Sequence, residues 1–555
     1  MIRTFNTHLI RPQKELTSTL WDFTPCDGEF YGKHFSVATP SCWESYPGFE
    51  SYRGEGIYTT EFEAEGNIRL EMKGVSHTAT VYLDDVEIAH HYNAYTIFDA
   101  VVKNLAAGKH ILKIKADNRF SRNSALHIPN DYMTYGGINR PVVLENIKDI
   151  YINRIQVTPF YKNNQWNIDV EVFVSNISAV PQTVDININA VGQNFTWADT
   201  EIPADTSISL STTLQFSQVN TWTPESPKLY EITSTISQDS IVCDDLIDRF
   251  GFREISIKGK QILLNGNPIK IKGLCRHEDH PQFGCALPYS AISYDLALIK
   301  DLGANSVRTS HYPNDEIFLD LCDEQGILIW EENHARGLSL EDMQNPNFEP
   351  QAEQVIKEMI PAHYNHPSIY IWGILNECAS DTEYGKECYE KQLSLIKKLD
   401  KSRPHSFASC KFKTDICFGL PDVVSYNIYP LWYHDTPVDE YIDDLYKWIQ
   451  NETDGAGKPF LITEIGAGGL YGYRNPYHAK WTEEYQAEAL EKQITAVLNY
   501  PDCCGIYIWQ FCDIRICEEW FNIRPRSMNN KGIVDEYRRR KLSYNVVKHL
   551  FETLS

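Results

Sequence analysis

The sequence predicts a multidomain β plus α/β protein, with two β-sandwiches followed by a (β/α)8 TIM barrel. Three observations predict it. The 555 residues exceed what one hydrophobic core holds, so several domains are expected. From about residue 20 to 250, apolar residues recur with period two between turn signals. From about residue 253 onward, apolar strand-like runs alternate with helical periods.

Residues 1–149 form the first expected unit. Thr80-Val81-Tyr82-Leu83 is a β-branched and aromatic run, followed by a turn at Asp84-Asp85 and then Val86-Glu87-Ile88. His110 to Lys115 alternates, and no helical period of useful length interrupts these runs. A sandwich follows from that pattern. Residues 150–252 form the second unit. Asn167 to Val174 alternates after a turn at Asn163-Asn164, and Thr206 to Leu210 alternates again. A unit of this size with about seven strands suggests an immunoglobulin-like sandwich.

Residues 253–555 carry eight strand-like runs: Ile269 to Gly273, Ser306 to Arg308, Ile327 to Trp330, Ile369 to Leu375, Ser406 to Ala408, Val423 to Tyr426, Phe460 to Thr463 and Gly505 to Trp509. Helical patterns separate most of them, including Gln351 to Tyr364, Tyr384 to Leu399 and Thr482 to Leu498. Eight such repeats match a (β/α)8 barrel. A doubly wound open sheet is the alternative, but no glycine-rich phosphate loop follows any strand.

Apolar residues make up 42% of the chain and charged residues 23%, as in an ordinary globular protein. The net charge is −24, which argues against nucleic-acid partners and anionic membrane surfaces. It leaves an anionic small substrate open, since a pocket needs only one or two local cations. The 32 Tyr and 12 Trp suit a sugar-binding cleft and suit many strands equally. The fourteen Cys show neither paired CxxC spacing nor a dense disulfide framework, and read as reduced thiols. Met1 to Trp21 has no apolar run and no stretch of about 18 apolar residues occurs, so neither a signal peptide nor a transmembrane helix is expected. The expected location is the cytoplasm. His277, His280 and His311 lack compact ligand spacing, so no metal or cofactor is expected.

Barrel chemistry sits where the strands end at the C-terminal face. Glu377 follows the fourth strand in Ile371-Trp372-Gly373-Ile374-Leu375-Asn376-Glu377, and Glu464 ends the seventh in Pro459-Phe460-Leu461-Ile462-Thr463-Glu464. Strands four and seven lie on opposite sides of a barrel mouth, so the two carboxylates can face each other across a bound sugar. Retaining glycoside hydrolysis uses such a pair about 5–5.5 Å apart. Glu464 would be the nucleophile and Glu377 the acid/base, with one shared proton serving both states. With 75 acidic residues in the chain, a single strand-end glutamate means little; the pairing on these two strands is what carries the reading.

With these residues in view, the sequence resembles glycoside hydrolase family 2 over nearly its whole length. Thr134-Tyr135-Gly136-Gly137-Ile138-Asn139-Arg140, Gly251-Phe252-Arg253 and Arg276-His277-Glu278-Asp279-His280-Pro281 carry the likeness. So do Asn305-Ser306-Val307-Arg308-Thr309-Ser310-His311-Tyr312-Pro313, Asn376-Glu377 and Thr463-Glu464. The resemblance implies a jelly-roll first domain and roles for Asn376 at the sugar 2-hydroxyl and Tyr429 at the nucleophile. Asn529-Asn530-Lys531-Gly532 is similar to the Asn-x-Lys motif of the β-glucuronidase branch, where Asn529 and Lys531 would grip the sugar carboxylate. Arg524 and Arg526 would add positive field. Asp131 would reach the 4-hydroxyl from the first domain. His311, Tyr433 and Trp509 complete the candidate substrate-binding set, although Tyr429 and Trp509 read equally well as core aromatics.

One position departs from the glucuronidase pattern. Arg336, in Trp330-Glu331-Glu332-Asn333-His334-Ala335-Arg336-Gly337, stands where an apolar residue is usual. It resembles the galacturonide-acting subgroup, in which an arginine would meet an axial 4-hydroxyl. Pairing with Glu331 or Glu332 is the structural alternative. The implied activity is that of a retaining exo-β-hexuronidase acting on a glycoside or oligosaccharide with a terminal galacturonate or glucuronate. A neutral β-galactosidase or β-mannosidase and an inactive carbohydrate-binding protein are the alternatives. The resemblance also implies a homo-oligomer, dimeric or tetrameric.

Overall fold

The computed structural model describes residues 1–554. In the first sandwich, the long strands Glu55–Met72 and Phe98–Asp117 pair antiparallel at the centre of an eight-stranded sheet. Thr78–Leu83 and Val86–Tyr92 join it as a hairpin. Asp84 and Asp85 turn that hairpin with φ of 49° and 66°. This left-handed pair matches the twist of the flanking strands, and aspartate tolerates it. Trp21, Trp43, Tyr58, Leu70 and Met72 fill the core.

In the next unit, Ile150–Lys162 and Gln165–Asn176 pair through a second left-handed turn, with φ of 55° at Asn163 and 59° at Asn164. Three strands form one sheet and four the other. Alternate residues of Gln165–Asn176 (Ile168, Val170, Val172 and Val174) are buried against Ile186, Ile188, Ile232 and Ile236. Period-two patterning thus becomes a two-sheet core.

Eight parallel strands then close a barrel. They are β1 (Ile271–Cys275), β2 (Ser306–Arg308), β3 (Leu328–Glu332), β4 (Ile369–Ile374), β5 (His405–Ser409), β6 (Val424–Asn427), β7 (Phe460–Ile465) and β8 (Cys503–Ile508). β8 returns to pair with β1. Every residue of β2, β3, β4, β5, β6, β7 and β8 is buried, as strands covered on both faces must be. Helices Phe348–His363, Glu383–Leu399 and Glu483–Asn499 lie within three residues of the expected ranges. The segment joining β5 to β6 carries turns instead of a helix. Trp330, Tyr370 and Tyr507 belong to one buried cluster with Trp509, with Tyr507 Oη between Ser306 Oγ at 2.6 Å and Tyr370 Oη at 3.0 Å.

The first sandwich is anchored on the C-terminal side of the barrel. Tyr95 stacks on Tyr312 with ring centroids 3.9 Å apart. Tyr135 Oη donates to Asp279 at 2.7 Å, and Arg140 pairs with Glu278 at 2.8 Å with both side chains buried. These contacts fix the segment carrying Asp131 above the barrel mouth. Among the described residues, no helix is long and apolar enough to cross a membrane.

Candidate active site

Glu464 lies within β7, one residue before its end. Glu377 lies three residues beyond β4. Leu375 and Glu377 both adopt left-handed backbone, with φ of 44° and 54°. That unfavourable geometry occurs where a site needs a side chain re-aimed. Gly373 makes the approach possible, since a Cβ there would stand 2.3 Å from Trp330 Nε1. Both glutamates line one cavity of about 340 Å³ at the barrel mouth.

The donors around each carboxylate differ. Glu464 accepts from Tyr429 Oη at 2.7 Å and from Arg308 Nη1 at 3.0 Å. Glu377 Oε1 accepts from Asn427 Nδ2 at 3.0 Å, and its Oε2 stands 3.6 Å from Arg336 Nη2. Arg308 is fully buried and also binds Glu332 and Asn376 Oδ1. Asn376 Oδ1 takes a second bond from Asn427. Two donors on its oxygen fix the amide, and its buried Nδ2 is left without a partner, free to meet a hydroxyl.

Burial, and then the charge of Glu377, push the Glu464 carboxyl up to about 7, against the opposing pull of Arg308, Tyr429 and Arg336. The last proton of the pair is therefore lost near neutrality. Hydrolysis needs one proton on the pair, so kcat/KM should fall as pH rises above about 7. Tyr429→Phe removes a donor to the anion and should move that alkaline limb to higher pH. A pH profile of both proteins checks this; an unmoved limb would detach Tyr429 from the titration.

Lys531 is only 3% exposed yet lines the cavity. Its Nζ donates to Tyr433 Oη at 3.1 Å and sits 5.2–5.7 Å from the ring centres of Tyr429, Trp432 and Tyr433. Burial lowers its affinity for its proton. No carboxylate lies within 4.0 Å of it among the described residues. Asn529 Nδ2 donates to Asp131 Oδ2 at 3.1 Å, leaving its buried Oδ1 unpartnered. Burial alone would raise the Asp131 carboxyl, but Arg336, Lys531 and Arg524 hold it below the usual range. Arg336 Nη2 is 3.3 Å from Asp131, so it pairs with neither Glu331 nor Glu332. The loop carrying it is bonded to the acid's own turn, Gly337 N donating to Asn376 O at 2.8 Å.

Trp509 lines the cavity, and His311 stacks on it at 5.1 Å. Glu332 accepts from His311 Nδ1 at 2.7 Å, which leaves Nε2 3.8 Å from Glu464. Burial keeps that ring neutral. Tyr433 forms part of the rim. Arg526 is a correction to the sequence reading. Its guanidinium turns away to the buried carboxylate of Glu536 and does not line the cavity. Arg524 takes that place, its Nη2 3.2 Å from Asp131 and 3.4 Å from Tyr433 Oη. Sequence reasoning assigned no role to Asn427 or Arg308; the latter stands inside a quoted motif. Two groups of three potential metal ligands occur among the described residues, Asp320-Asp323-His366 and Cys517-Glu518-Glu519, and neither lines the cavity.

Residues 255–555 match the TIM barrel domain of glycosyl hydrolases family 2, and residues 150–253 match a second domain of that family. The chain belongs to glycosyl hydrolase family 2. It is a glycoside hydrolase with a barrel preceded by β-sandwich units. A family 2 β-galacturonidase from Eisenbergiella tayi, solved bound to galacturonate, is 58% identical, with a TM-score of 0.99 over 100% of both chains. A β-glucuronidase of Streptococcus agalactiae is 28% identical over 520 residues, covering 85% of this chain and 84% of that protein. A β-D-glucuronidase structure from Dictyoglomus thermophilum, at 24% identity and TM-score 0.85 over 100% and 99% of the chains, shares the fold.

Proposed function

We propose that this family 2 hydrolase is a retaining exo-β-uronidase that removes a terminal β-D-galacturonic acid, with glucuronic acid as the poorer epimer. The observation that carries the reading is Lys531, an ammonium buried to 3% exposure in the cavity with no carboxylate within 4.0 Å among the described residues, Asp131 acting on it only from further off. Burying an unpaired charge costs roughly several kcal/mol, and a substrate carboxylate would offset that cost. Asn529, held by Asp131, stands next to it in the same motif.

In the first step Glu464 attacks the anomeric carbon, the glycosidic C–O bond breaks, and the leaving oxygen takes the Glu377 proton. Esterified Glu464 no longer carries charge, so Glu377 can deprotonate water. That water attacks the anomeric carbon and releases Glu464 as carboxylate. Arg308 and Tyr429 both donate to Glu464 and so favour the anion that attacks, against the burial that raises its carboxyl. Asn376 Nδ2 would meet the 2-hydroxyl.

Arg336 and Asp131 contact each other at 3.3 Å and both line the cavity, which supports their sharing the sugar 4-hydroxyl. An axial hydroxyl would receive the guanidinium. Arg336→Ala should therefore cost about 10- to 100-fold more in kcat/KM on nitrophenyl β-galacturonide than on the glucuronide. Equal losses on the two would refute this use of the arginine. The 58% identical β-galacturonidase supports the same epimer. A dimer or tetramer in the cytoplasm accompanies the proposal, and light scattering tests the assembly.

A further inference from the structure

The cavity has a wall that the sugar contacts above do not use. Glu377 N donates to Ala408 O at 2.9 Å, so Cys410, two residues further along, stands beside the acid. Cys410, His434 and Tyr441 line the cavity there. Tyr441 stacks with His434 (5.7 Å between centroids, 23° between planes) and on Phe412 (5.5 Å, 29°), making a row of nearly parallel rings. The charged side chains of the lining, apart from the two glutamates, are Asp131, Arg336, Arg524 and Lys531, and none belongs to this wall. Lys411 and Asp435 flank it in sequence without lining it, and Lys413 is paired with Asp444 at 3.0 Å.

The leaving oxygen receives its proton from Glu377, so the departing group must start at Glu377 and extend away from Lys531. We infer that Cys410, His434 and Tyr441 form the leaving-group subsite, and that it takes a flat, uncharged aromatic aglycone. The inference rests on the uronidase reading. Ring stacking rewards an aromatic group there, and a negative aglycone would meet no cation on this wall, since Arg336, the lining cation near Glu377, is already paired with Asp131 at 3.3 Å.

The test compares kcat/KM on phenyl and methyl β-uronides of the same sugar for wild type, Tyr441→Ala, Tyr441→Phe and His434→Ala. Each rate constant is referred to wild type on the same substrate, which cancels leaving-group reactivity. Tyr441→Ala and His434→Ala should each lose about 3- to 10-fold more on the phenyl than on the methyl substrate, with Tyr441→Phe close to wild type. Wild type should also prefer a carbamoylphenyl over a carboxyphenyl uronide. Equal losses on phenyl and methyl substrates, no loss on either, or a preference for the carboxyphenyl substrate would each overturn the subsite. If wild type cleaves neither uronide, the failure belongs instead to the uronidase reading.

Discussion

Replacing Glu464 with Gln is expected to lower kcat on an aryl β-uronide by about 10⁴- to 10⁶-fold, the scale seen when a covalent nucleophile is removed. The amide fills the same space, its single oxygen can keep the Arg308 bond and its NH2 can donate to Tyr429 Oη, so the fold should persist while the attack is lost. Glu377→Ala should behave differently, costing about 10²- to 10⁴-fold on a substrate with a poor leaving group, where protonation of the departing oxygen matters. On a nitrophenyl uronide, whose leaving group needs little help, the first step should survive and the glycosyl ester should accumulate. Steady-state kinetics on the two substrates, with burst measurements, check both patterns. Equal losses for Glu377→Ala on both leaving groups would remove Glu377 from the acid role.

Lys531→Ala should reduce kcat/KM on the uronide by about 100- to 1,000-fold, the range for deleting one partner of a buried, hydrogen-bonded charge pair. The free protein holds Lys531 in a cage of Tyr429, Trp432 and Tyr433, which donates no counter-charge of its own. Truncation removes a costly buried cation, so the unliganded fold should not suffer. The discriminating measurement sets the uronide beside the corresponding neutral galactoside. If the protein were a neutral β-galactosidase on this scaffold, the galactoside would be the better substrate of wild type and Lys531→Ala would leave its turnover intact.

The barrel was legible because strands such as Ile369–Ile374 and Phe460–Ile465 are apolar runs buried on both faces, and such runs stand out from helical periods whatever the loops do; Ser306–Arg308 and His405–Ser409 are polar and short, and fall into place only by their spacing between these runs. The ends were less legible: β3 runs on to Glu332 and β7 to Ile465, because pairing with neighbours, which periodicity does not encode, decides where a strand stops. Glu377 and Glu464 followed from topology, since strands four and seven of a closed barrel oppose each other. The arginines on either side of Pro525 show where such reasoning ends. Their directions depend on two short 3-10 turns and on φ of 60° at Arg526, and the backbone sends Arg524 inward and Arg526 to Glu536. The contact of Asp131 with Arg336 joins residues 205 positions apart, in separate structural units, and only the resemblance pointed to Asp131. Asn427, which ties Asn376, Glu377 and Thr463 together, is a polar residue ending a buried strand, and nothing in its local sequence marks it.

The nucleophilic role of Glu464 is tested most directly by intact and peptide-level mass spectrometry of Glu377→Ala quenched during turnover of a nitrophenyl β-galacturonide. A uronosyl adduct that maps to the peptide bearing Glu464 is expected. An adduct on another residue, or none under conditions where the first step demonstrably proceeds, would contradict that role.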